Sequence, residues 1–222
     1  MRCKHLFILC SIFVWLSAAG QTDSNETTFD DEEPVWLKAD MNEVHEYGIK
    51  LGTGFSTMLG GELDNPRPAF GLNGCGYYRY RYSKKSALQS EVGISFRGSN
   101  FANGSGEYSA IKTYYIDAPL FWVRAINKTA KAHLILGAQY SRLLSRSIFV
   151  DSKQVEEDQK PKLKKNDVLI LAGTQFYAGF IGFQLVAKYG LIDINNGLID
   201  GLNPPFKNKD IHNFVFEINF LF

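Results

Sequence analysis

The sequence predicts an all-β fold, an eight-stranded antiparallel up-and-down transmembrane β-barrel, and three observations carry that prediction. Apolar and polar residues alternate with period two in stretch after stretch from Tyr47 onward. Beyond residue 20 no apolar run approaches the ~20 residues that a membrane helix requires. The polar side of the alternation is rich in Gly, Ser, Asn and Gln with few charges.

The last stretch is the clearest. Phe214, Phe216, Ile218, Phe220 and Phe222 alternate with Val215, Glu217, Asn219 and Leu221. Such an aromatic face suits contact with lipid; a buried strand of a soluble protein is the alternative. On the lipid reading, Phe216, Ile218, Phe220 and Phe222 form a C-terminal insertion signal addressed to barrel-insertion machinery.

The other strands follow the same rule. Tyr47, Ile49, Leu51 and Phe55 oppose Gly48, Lys50, Gly52 and Gly54. Phe70, Leu72, Tyr78, Tyr80 and Tyr82 oppose Gly71, Asn73, Cys75, Arg79 and Arg81. Leu88, Val92, Ile94 and Phe96 oppose Gln89, Glu91, Ser95 and Arg97. Tyr114, Ile116, Ala118, Leu120 and Trp122 oppose Thr113, Tyr115, Asp117 and Phe121. Leu134, Leu136, Ala138 and Tyr140 oppose His133, Gly137, Gln139 and Ser141. Val168, Ile170 and Phe176 oppose Leu169, Leu171, Gly173 and Gln175, so this strand is apolar on both sides. Phe183, Leu185, Ala187 and Tyr189 oppose Gln184, Val186 and Lys188. Strands of about ten residues match the ~9–11 that a membrane strand needs.

The connections alternate in length. Residues 83–86, 127–130 and 178–180 read as short turns; residues 59–68, 98–111, 147–166 and 193–212 read as longer loops. Short periplasmic turns and long outer loops are the bacterial arrangement, which puts both termini in the periplasm.

Residues 1–20 read as a secretory signal peptide: Arg2 and Lys4, an apolar run over residues 6–16, then Ser17-Ala18-Ala19-Gly20. Residues 21–46, with Asp30-Asp31-Glu32-Glu33, read as a flexible acidic periplasmic segment. The barrel is expected over residues 47–222. Two of the three cysteines fall in the leader; Cys75 stands alone and reads as a small lumen-lining residue, with no disulfide or cysteine metal site. A formal net charge of +1 gives no case for nucleic acid. No phosphate loop, zinc spacing or nucleophile elbow appears, so no cofactor, metal or catalytic group is assigned.

A soluble lipocalin-like barrel also alternates, with its apolar side inward. The scarcity of charge on the polar side favours the opposite facing, in which an enclosed ionic and polar network contains Lys50, Arg79, Arg81, Glu91, Arg97, Asp117, His133, Gln175, Lys188 and Glu217. Arg79 and Arg81 are expected to lie one strand from Glu91, and Lys50 and Lys188 to flank Glu217. The network reads as a structural plug, with an ion path as the alternative. Pro119 lacks the donor that a closed ladder needs, so a bulge or local break is expected there.

Tyr115-Ile116-Asp117-Ala118-Pro119-Leu120, Gly137, Gly173 with Gln175, Lys188-Tyr189-Gly190-Leu191-Ile192-Asp193-Ile194 and the phenylalanine-ended last strand resemble, in that order, the PorT-like outer-membrane barrels of Bacteroidota. The resemblance runs from Tyr47 to Phe222 and implies an eight-stranded barrel. For the family's named member it also implies a part in type IX secretion. Asp117 stands where that family has Glu, and Lys188 where it has Arg.

Three functions remain open. One is a non-enzymatic envelope scaffold or assembly or secretion factor that meets outer-membrane lipid and an envelope protein partner through its loops or residues 21–46. Another is a narrow channel. The third is an outer-membrane enzyme using His133 with Asp117. The loop cations Lys160, Lys162, Lys164 and Lys165 read as a solvated hairpin tip or a lipopolysaccharide contact.

Overall fold

In a computed structural model, the protein is described over residues 45–60, 66–102, 108–126, 132–150, 153–154, 163–178, 181–195 and 210–222. The signal peptide and most of the acidic segment lie outside the described residues, as does the 127–130 turn. The strands are β1 (His45–Gly60), β2 (Arg67–Ser83), β3 (Ser86–Ala102), β4 (Tyr108–Ala125), β5 (Ala132–Val150), β6 (Lys153–Gln154), β7 (Asn166–Ala178), β8 (Ile181–Gly190) and β9 (Ile211–Leu221).

All pairings are antiparallel. The order β4-β3-β2-β1-β9-β8-β7-β5, together with the β4–β5 pairing, closes the sheet on itself. The two-residue β6 pairs only with the end of β5, so eight strands make the wall. Closure leaves no row of unpaired backbone groups facing hydrocarbon.

The alternation decides which side is wet. Tyr47, Phe70 and Val92 are 85, 64 and 63% exposed on the outside, whereas Lys50 and Glu217 are each 3% exposed. The apolar rows therefore face outward, which excludes the lipocalin-like arrangement. Aromatic pairs reinforce this face: Phe96 meets Tyr114 edge-on at 4.6 Å, Phe183 meets Phe220 at 5.2 Å, and the Trp122 indole donates to the Tyr82 hydroxyl at 2.8 Å.

Three features refine the sequence reading. First, β1 to β5 are longer than ten residues, reaching 19 in β5. Much of the 98–111 segment is strand, with rungs Ser99↔Ile111 and Phe101↔Ser109. Its Gly, Ser and Asn content resembles a loop, yet the period-two facing continues, with Phe101 and Ile111 buried inside. The strand wall also begins by His45, ahead of the Tyr47 boundary.

Second, of the bulge or local break expected at Pro119, the structure has the break. It keeps its rung with Gln139 of β5. Toward β3 the paired rungs stop at Ser90↔Leu120 and resume in the same register at Gly93↔Asp117. The missing donor thus opens a local break on one side only. A register shift falls instead where Tyr114 pairs Ser145 and Tyr115 pairs Leu143, leaving Leu144 as the extra residue. That extra residue reverses the facing of the rest of β5 and carries Ile148 inward.

Third, the interior is not uniformly polar. Phe121, Val123, Ile135, Leu171 and Val186 form an apolar cluster on the lumen side of β4, β5, β7 and β8. Met58, Phe101, Ile111, Ile148, Leu163, Ile194 and Ile211 form a second cluster at the long-loop end.

Candidate functional site

The lumen is built in levels, beginning at the short-turn end. Glu46 accepts from Arg79 at 3.2 Å and also pairs with Arg81. The Arg79 Nε donates to Gln89 at 2.8 Å and its Nη2 to Gln175 at 3.1 Å. Gln175 in turn donates to the Tyr177 hydroxyl at 2.5 Å. His133 stands edge-on to Tyr177, with ring centroids 5.7 Å apart.

The next level joins two ion pairs. Lys50 pairs with Glu91 and also donates to Gln184 at 3.2 Å. Glu91 further accepts from Gln89 at 2.6 Å and from the Cys75 thiol at 3.4 Å. Lys188 meets Glu217 at 2.6 Å and donates to Gln139 at 3.0 Å. Lys50 also lies 5.4 Å from the centre of the Phe121 ring, where the ionic wall meets the apolar one. A small void remains between Lys50, Cys75, Glu91, Asp117, Lys188 and Glu217, next to the break at Pro119.

Above this, Arg97 donates to Asp117 at 2.6 Å and to Ser141 at 3.3 Å, and its guanidinium stacks 4.7 Å from the Tyr115 ring. Asn213 donates to Asp167 at 2.7 Å. The apolar cluster around Met58 and Phe101 then covers the mouth. Part of that cover comes from connecting segments: Leu163 bridges to Asn195, and Asp193 accepts from the Ile211 amide at 2.8 Å, the Asn195 amide at 3.0 Å and Lys164 at 3.3 Å. Partial burial pushes the Asp193 carboxyl up, but those two amides and the Lys164 ammonium more than offset it, so it is held below the usual carboxylate range.

The pairing differs from the one read off the sequence. Arg79 and Arg81 pair with Glu46 instead of Glu91. Lys50 and Lys188 do sit on the two strands that flank Glu217, and Lys188 pairs with it, but Lys50 takes Glu91 as its ion-pair partner, because Glu217 sits opposite Gly54 while Lys50 sits opposite Leu221. Glu46 is hidden in the sequence because it closes an acidic stretch that reads as unstructured; its signal is its place one residue before Tyr47 in the same alternation. Asp117 and His133 are not brought together. Asp117 pairs across to Ser141, while His133 pairs to Ala125, eight residues further along β4, or roughly 26 Å of strand. No group of three metal-ligating side chains occurs among the described residues. On β9, Phe216, Ile218 and Phe220 project outward, and the Phe222 backbone exchanges hydrogen bonds with Ile49 at 2.9 and 3.0 Å.

The closed wall with lipid-facing apolar rows agrees with a sequence comparison. The family model described as outer membrane protein beta-barrel domain matches residues 32–196. The chain belongs to that family. It is an outer-membrane β-barrel protein. Its fold is similar to that of Neisserial surface protein A, at 12% identity and a TM-score of 0.50, covering 80% of this chain and 97% of that one. Weaker likenesses are to OprG of Pseudomonas aeruginosa (14% identity, TM-score 0.42, 82% and 98% covered) and to Ail, the attachment invasion locus protein of Yersinia pestis (16%, 0.40, 79% and 97%). No functionally curated protein matches the sequence.

Proposed function

We propose that this outer-membrane barrel is a non-enzymatic envelope scaffold or assembly factor of the PorT-like kind. It works through its outer surface and loops, and the lumen serves as a structural plug. The observation that carries this reading is the filled cross-section. Four salt-bridged groups, Lys50, Glu91, Lys188 and Glu217, span the middle, and an apolar cluster covers the long-loop mouth. An eight-stranded barrel is just wide enough to be filled in this way.

On this reading residues 1–20 direct export and are removed. Residues 21–46 and both termini are periplasmic, and the acidic segment or the loops meet an envelope protein. A contribution to type IX secretion is the finest form of the proposal. Crosslinking in intact cells is expected to recover a discrete envelope partner, and deletion is expected to stall protein export or barrel assembly. Recovery of no partner, together with normal export, would refute it.

The separation of Asp117 from His133 argues against the enzymatic alternative. The narrow channel is tested by planar-bilayer recording, where no sustained conductance is expected from the full chain.

A further inference from the structure

Toward the long-loop end, where β7 begins but β4 and β5 run on, the outer face carries a set of cations. Arg142 follows Tyr140 on the same face of β5, two residues and roughly 7 Å further along the strand. It pairs across to Ile116 on one side and Asn166 on the other. Asn166 holds the Tyr140 hydroxyl at 2.8 Å, and its neighbour Lys165 accepts the Leu143 amide at 2.7 Å, which fixes Lys165 to β5 beside Arg142. Lys112 stands higher on β4, its ammonium 5.0 Å from the Phe149 ring centre.

All three side chains are exposed, and no ion pair ties any of them to a carboxylate among the described residues. Lys164, one residue from Lys165, is by contrast paired with Asp193 at 3.3 Å. Unpaired cations directly above a lipid-facing aromatic belt lie at the depth of headgroups. The guanidinium fork suits phosphate oxygens, with Lys adding point charge. A neutral sugar or zwitterionic surface would leave this charge uncompensated.

We infer that Arg142, Lys165 and Lys112 form a binding surface for the phosphates of lipid A in the leaflet at this rim. The identity of the lipid rests on the proposed orientation, in which the long loops face the cell exterior.

The test uses the full chain in phosphatidylcholine nanodiscs doped with lipid A, with retained lipid counted by native mass spectrometry. The wild-type protein is expected to retain diphosphorylated lipid A, to retain the monophosphorylated form several-fold less, and to lose both as salt is raised. Arg142→Gln, Lys165→Gln and Lys112→Gln together are expected to cut retention at least tenfold. The opposite-rim set Lys84→Gln, Lys85→Gln and Arg124→Gln is expected to bind like wild type. Retention by the first set within twofold of wild type, or equal retention of a phosphate-free analogue, would overturn the inference. Heat-modifiable gel migration checks that each variant is folded. Impermeant thiol labelling of Lys165→Cys in whole cells reports orientation separately: lack of labelling would refute the topology, whereas the lipid measurement addresses the surface itself.

Discussion

Lys188 and Glu217 meet inside the barrel at 2.6 Å from adjacent strands but not from the same rung: Lys188 sits opposite Val215, and Glu217 opposite Val186. The side chains reach diagonally across the lumen face of β8 and β9, each 4% exposed. Two buried charges are tolerable together because each supplies the counter-charge that water no longer can. Asn219 and Gln139 complete their hydrogen bonds.

Removing one partner should therefore cost far more than removing both. Lys188→Ala or Glu217→Ala is expected to lower stability by about 3–5 kcal/mol, while Lys188→Met with Glu217→Leu should recover most of that loss. Urea unfolding in phospholipid vesicles measures the cycle; additive single effects would contradict the coupling.

Glycine tolerance should divide according to what stands beside it. A Cβ on Gly173 would run into the Leu185 carbonyl oxygen, a backbone atom that cannot swing away, whereas a Cβ on Gly76 meets nothing within 4 Å. Gly173→Ala is expected to lose about 1–3 kcal/mol through overpacking. Gly76→Ala should stay within about 0.5 kcal/mol of wild type. The folded fraction on unheated gels ranks the two.

The lipid-facing wall should reject charge at mid-depth. Val92→Arg places a guanidinium on the outer face between Leu88 and Phe96. A loss of about 2–4 kcal/mol is expected in bilayers, shrinking for the same change near the rims. A neutral outcome would mean that this face is not solvated by hydrocarbon.

Acid should release the contacts that Asp193 makes with the Ile211 and Asn195 amides. Its carboxyl lies below the usual range in the folded state, so its contribution is full above the unfolded value of about 3.9 and is lost as pH falls through the lower folded value. Amide exchange at Ile211 and Asn195 is expected to accelerate over that acid window. In Asp193→Asn, the step should vanish while exchange stays fast at all pH. An unchanged acid profile in that variant would assign the effect to another group.

The split between legible and illegible features follows the range of the forces involved. Facing is local: adjacent residues of a strand point to opposite sides, so the Phe214-to-Phe222 row and the Lys50, Glu91 and Lys188 positions were readable before any partner was known. Pairing is not local. Whether Arg79 finds Glu46 or Glu91 depends on strand register and on the tilt of the closed wall, and no short stretch encodes either. The continuation of β3 through Gly98, Ser99 and Asn100 was hidden because turn-forming residues can also sit in a long hairpin arm once its partner supplies the hydrogen bonds.

By itself, the sequence determined that this chain is a barrel with its greasy rows outward, because hydrocarbon on one side and a packed lumen on the other demand opposite chemistry at alternate positions. Only the tertiary structure decided which cation met which carboxylate, that Leu144 would be the residue displaced from register, and that Leu163 and Ile194 would help cover the mouth. Each of these depends on closing the sheet, which brings together residues far apart along the chain.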